Sequence, residues 1–235
     1  MRPAAIAFVS AAVAVTAVAA YFAFLPESSG TIAFWILSAG PTLALAALGA
    51  AWANREDLLR EWITPQWGDF TRGVFGAVLL YAVAWGFVRL VAPVGSPREI
   101  WLVSLYGEIG DPRSLHAHGL AIGATIAGAA LAEEVLWRGV VTRLVAERVG
   151  SRTAWLWAAG LYALAYVPTA WSLKAASENG GGLNPMIPLA ALGCGLLWGG
   201  MARVFGRLTP GILAHALFDW IVVMMFPLWG MGKGI

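Results

Sequence analysis

Residues 118–143 read HGLAIGATIAGAALAEEVLWRGVVTR. From Gly119 to Ala132 the run holds no charge, and then Glu133, Glu134 and Arg138 follow in quick succession. A helix needs about 20 apolar residues to cross the hydrocarbon core of a bilayer. This run is long enough to cross, and it carries two carboxylates and a guanidinium into the span. Charges at that depth are costly, so by default they mark a functional site.

Six further apolar runs flank it, at 4–25, 31–53, 73–95, 153–171, 185–202 and 208–230. Hydrophobic residues make up 60% of the chain and charged ones 12%, against the ~25% charged usual in soluble domains. The expectation is an all-α, polytopic transmembrane helical bundle of about seven spans, with residues 1–235 as a single integral membrane domain. A soluble globule and a disordered chain are excluded. A disulfide scaffold is excluded too, since Cys194 is the only cysteine. The length of the first run, with no polar mature domain behind it, argues for a retained helix over a secretory signal. A net charge of +2 provides no field to attract nucleic acid. With the N-terminus inside, nine Lys and Arg fall in inner segments and four in outer ones, which predicts a cytoplasmic N-terminus.

The connection 96–117 reads as an interfacial segment with aromatic anchors, and the Gly-, Ser- and Asn-rich stretch 172–184 as a mobile loop. Gly119/Gly123 and Gly195/Gly199 have the spacing that lets helix backbones approach closely.

Two other spans also carry polar groups. His215 and Asp219 lie one helical turn apart, suited either to joint metal ligation or to an orienting hydrogen bond. Tyr162 and Tyr166 are likewise one turn apart. Arg138 lies one turn beyond Glu134 and can pair with it, whereas Glu133 points about 100° away and is free for proton exchange. Counted from the inner span ends, Glu133, Tyr166 and His215 all lie roughly 10–20 Å deep. They are expected to surround one water-accessible cavity in the inner half of the membrane.

The run EEVLWRG (Glu133 to Gly139), an aromatic pair at i and i+4, and HALFD (His215 to Asp219) after Pro210-Gly211 together resemble a known family. This is the CAAX protease and bacteriocin-processing family of intramembrane proteases, whose successive helices carry EExxxR, FxxxH and HxxxN or HxxxD. The resemblance covers a protease-like core at 118–230. It implies hydrolysis of a peptide bond near the C-terminus of a membrane-anchored or lipidated substrate, in a bacterial inner membrane. It also implies that Glu133 activates water, that Glu134 and Arg138 orient and support it, and that His215 and Asp219 hold the oxyanion or help bind zinc. Tyr162, Trp137 and Phe218 are the expected substrate-binding aromatics. Where the family has Phe and His, this chain has Tyr162 and Tyr166.

Zinc catalysis ordinarily uses three protein ligands and an open position for water. The available set is Glu133, His215 and Asp219, and enlisting Glu133 as a ligand leaves no evident base. A metal-free, glutamic-type mechanism is therefore favoured, with the Tyr166 hydroxyl orienting water and His215 donating to the oxyanion. Two other readings compete. One is a catalytically inactive relative acting as a membrane binding scaffold or immunity factor. The other is a small transporter relaying protons through Glu133 and Glu134, which would call for paired halves with interrupted helices.

Overall fold

The computed structural model describes residues 3–110, 112–175 and 182–228, and every regular element among them is helical. The chain runs through α1 (Pro3–Ala23), α2 (Ile32–Arg55), α3 (Leu58–Ile63), α4 (Asp69–Val91), α5 (Ile100–Ile109) and α6 (Pro112–Ala117). Then come α7 (Gly119–Glu133), a π-helical stretch (Glu134–Val141) and α8 (Thr142–Val149), which form one continuous rod over Gly119–Val149. The remaining helices are α9 (Ala154–Tyr166), α10 (Thr169–Ala175), α11 (Met186–Phe205) and α12 (Thr209–Trp220), the last extended by π-helix to Met225. Among the described residues, five helices are long and apolar enough to cross a bilayer: α1, α2, α4, the Gly119–Val149 rod and α11. Their outward faces carry exposed Phe75, Leu90, Leu120 and Val204. In water such a surface would be untenable; in lipid it is the expected one. The chain is an integral membrane protein.

Six helices pack in a closed ring, α1 on α2, α2 on α7, α7 on α12, α12 on α11, α11 on α9 and α9 back on α1, while α4 backs α12 from outside. Close approach requires small residues at the crossings. A Cβ on Gly73 of α4 would stand 2.6 Å from the Leu213 side chain, so α4 can seat on α12 only with glycine there. Two of the four glycines with packing spacing make such contacts: Gly123 meets Trp220 and Gly195 meets Ala159, while Gly199 faces Trp155 at ordinary packing distance. Gly119 faces open space.

Among the described residues, the apolar run 153–171 is divided between two helices, α9 and α10. Here α9 has 13 residues, roughly 20 Å of helix at ~1.5 Å per residue, too short to cross alone. It stops at Tyr166 because Pro168 has no amide to continue the ladder, and α10 starts afresh at Thr169. The last span is also short, 17 residues over Thr209–Met225. The connection 96–117 is helical, containing α5 and α6. Part of the supposed loop 172–184 belongs to α10, and its centre, 176–181, lies outside the described residues. Asn184 at its far end is buried, donating to the Trp101 carbonyl and accepting from the Met186 amide.

Helix α5 is tied to the turn between α1 and α2. The Ser29 hydroxyl donates to the Gly107 carbonyl, and the Gly30 amide to that of Glu108. Burial, with Glu27 near by, pushes the Glu108 carboxyl up to about 7, while Ser29 works in the opposite direction. A carboxyl raised above its ordinary 4.5 in the folded state contributes stability that is present below that pH. That stability is lost as pH rises through the folded value. Thermal unfolding of the detergent-purified chain should therefore show a midpoint that falls between pH 5 and pH 8. Glu108→Gln should flatten that dependence, and an unchanged slope in the variant would refute the assignment.

Candidate intramembrane active site

The rod through Gly119–Val149 changes its hydrogen bonding where its charges begin, with π-helix over Glu134–Val141. A π segment makes room for an extra residue per turn at the expense of ideal ladder geometry, and such segments cluster at functional sites. Every side chain from Glu133 to Val141 is buried.

Glu134 is fully buried, its Oε1 3.3 Å from Arg138 Nη1 and 3.0 Å from His215 Nδ1. Its Oε2 lies against α12, where a Cβ on Gly211 would come within 3.1 Å. A glycine at the start of α12 is what admits the carboxylate. Glu133 points elsewhere and is held by two phenols, with the Tyr162 hydroxyl donating to Oε2 at 2.5 Å and that of Tyr166 to Oε1 at 2.8 Å. His215 Nε2 stands 3.9 Å from Glu133 Oε2 and 3.3 Å from Asp219 Oδ2. The imidazole thus has carboxylates on both edges. Its neutral form can donate on one side only, its protonated form on both.

Trp198 stacks on the His215 ring with centroids 3.6 Å apart. The Arg138 guanidinium lies 4.4 Å from the Tyr162 ring and 5.1 Å from that of Trp198, a favourable stacking for a partly desolvated cation. Sequence reasoning missed Trp198. Near the end of the run 185–202 it reads as an ordinary interfacial anchor, so the sequence carried no signal for it.

The six-helix ring encloses a cavity of about 300 Å³ with Glu133, Tyr162, Tyr166, His215, Phe218 and Asp219 on its wall. The three segments that the sequence set at one depth do meet. Trp137 does not reach this cavity: it is buried behind Tyr162, ring centroids 5.4 Å apart, and is a packing residue there rather than a substrate contact. The space extends from Glu133 past Thr16, Ser38 and Ile187 to Phe24 and Leu105, towards the end of the bundle opposite the N-terminus of α1. His116 and His118 are exposed near the start of α7.

Among the described residues no group of three or more His, Cys, Asp and Glu is arranged to hold a metal ion. Glu133 has both oxygens bonded to phenols, and a neutral phenol in place of an imidazole is a poor zinc ligand.

These elements define a helical membrane protein with a carboxylate and an imidazole facing each other inside the bilayer. Residues 116–221, a little under half of the chain, match the family model described as type II CAAX prenyl endopeptidase Rce1-like. No curated protein and no solved structure matches the chain.

The bond from Tyr162 to Glu133 is buried, and an unmet buried acceptor costs about 1–3 kcal/mol. Tyr162→Phe should lower unfolding stability in detergent by that amount, and Tyr166→Phe, which is partly buried, by less. A Tyr162→Phe variant as stable as the parent would show that the bond contributes nothing.

Proposed function

We propose that the chain is a metal-free intramembrane endopeptidase that cleaves near the C-terminus of a membrane-anchored, lipidated protein. The observation that carries this reading is the 3.9 Å approach of His215 Nε2 to Glu133 Oε2 at the wall of an apolar cavity. Glu133 takes a proton from a water molecule, whose oxygen attacks the scissile carbonyl carbon. The resulting oxyanion accepts a hydrogen bond from His215, which Glu134 and Asp219 orient from either edge. When the carbon–nitrogen bond breaks, the proton held by Glu133 passes to the departing amine. Tyr166, its hydroxyl on Glu133, positions the attacking water. Two lining hydroxyls, Thr16 Oγ1 and Ser38 Oγ, have no partner within the described residues and are available to a substrate backbone. They come from α1 and α2, outside the matched segment, which supports a single membrane unit spanning the whole chain. A prenyl chain fits the apolar remainder, and Tyr162 and Phe218 would flank it.

A second reading has a specific observation in its favour. Phenols occupy both oxygens of Glu133, as they would in a relative that binds membrane segments without cleaving them.

The deciding experiment incubates the reconstituted protein with a prenylated, membrane-anchored peptide and follows release of its C-terminal fragment. Under the leading reading, Glu133→Gln lowers cleavage at least ~100-fold and His215→Ala by roughly 10²–10³, with both variants folded. Chelators leave the rate unchanged. Binding of the peptide without cleavage by the parent protein selects the scaffold reading. Loss of cleavage on chelation, restored by zinc, overturns the metal-free mechanism.

A further inference from the structure

A second cavity, of about 240 Å³, lies on the far side of the Arg138 layer. It is walled by Trp62, Arg138, Ser151, Trp155 and Arg203, where α8 and α11 end and α9 and α12 begin. Ser151 and Arg203 are exposed, so the cavity reaches the surface. Its deepest cation is Arg138, 6% exposed. Glu134 engages one side of that guanidinium, yet Nη2 has no hydrogen-bond partner within the described residues. A buried donor left without a partner is expensive, more so on a charged group. Arg207 also lines the cavity, but Asp69 occupies its Nε and Nη2 and the Phe205 carbonyl its Nη1. Arg203 forms no ion pair within the described residues.

We propose that this cavity is a binding site for a phosphate-bearing anion, held between the inward-facing Arg138 and the surface Arg203. Guanidinium groups match phosphate oxygens in geometry as well as charge. At roughly 30 Å³ per water molecule, the volume equals that of several waters and accepts a glycerophosphate headgroup. Trp62 and Trp155 line the cavity, and aromatic rings are common at the headgroup level of a bilayer. The bound anion supplies the acceptor that Nη2 lacks and so braces the guanidinium that supports Glu134. The phosphate can come from a membrane lipid or from solution.

The test titrates the full chain in neutral detergent with short-chain phosphatidylglycerol, short-chain phosphatidylcholine or inorganic phosphate, reading affinity from the rise in unfolding temperature. Stabilisation by phosphatidylglycerol alone identifies a lipid headgroup as the ligand; stabilisation by inorganic phosphate identifies free phosphate. In either case Arg203→Gln and Ser151→Asp should weaken binding about five-fold each, as expected for one charge near an anionic group. Arg148→Gln, at the same end of the bundle but outside the cavity, should bind as the parent does. The proposal is overturned if neither anion stabilises the protein more than phosphatidylcholine, or if Arg148→Gln loses as much affinity as Arg203→Gln.

Discussion

The buried carboxylate of Glu134 governs the geometry of the protein's interior. It lies in a place where ionisation has to be compensated, and two side chains compensate it, Arg138 from its own helix and His215 from α12, while the bare backbone at Gly211 makes room for it. Removing one member of a buried charge pair typically costs ~3–5 kcal/mol, because the other is left uncompensated. The rod through Gly119–Val149 and α12 are thereby locked in one register. The orientation of His215 follows from that lock. With Nδ1 on Glu134, the opposite ring nitrogen can only face Glu133 and Asp219, and Trp198 closes the remaining face by stacking.

Two neighbouring glutamates thus do different work for a geometric reason. Successive residues on a helix point about 100° apart, so Glu134 faces the charged layer and Glu133 the cavity. The first is an anchor, the second is the group that a substrate would meet. The phenols on Glu133 fill the place of the family's Phe and His pair, so that hydrogen-bond donors hold the carboxylate and no second imidazole stands beside it. This exchange leaves a polar floor beneath an apolar cavity. The ring of six helices exists around that floor, and its two ends carry different spaces, one apolar and enclosed by helices, the other flanked by arginines.

Much of this was legible in the amino-acid sequence. Long uncharged runs declare membrane helices because the bilayer penalises every exposed polar group, and charges inside such runs declare a site because they are too costly to keep otherwise. That reasoning singled out Glu133, Glu134, Arg138, His215 and Asp219, and helical spacing paired Glu134 with Arg138. It did not foresee the break within 153–171, since composition registers the apolarity of that run but not the interruption at Pro168. Side-chain identity likewise placed Trp137 with the substrate, although its ring turns behind Tyr162.

Contacts between segments far apart in the chain were decided only by the tertiary structure. The pairing of Glu134 with His215 joins residues 81 apart, and that of Glu133 with Tyr162 residues 29 apart. No local periodicity encodes either, because periodicity records the face of a helix and not the neighbour that covers it. The direction in which the cavity extends was equally hidden. Depth along a span is symmetric to a count of residues, whereas the open side depends on where α1, α2 and α11 leave space between them. Thr16 and Ser38 had no signal at all, since isolated hydroxyls are ordinary in apolar helices and gain meaning only when packing turns them towards the site. The sequence determined that a membrane helix bundle carries charge at its centre; the packing of distant helices decided which charge is anchored and which faces the cavity.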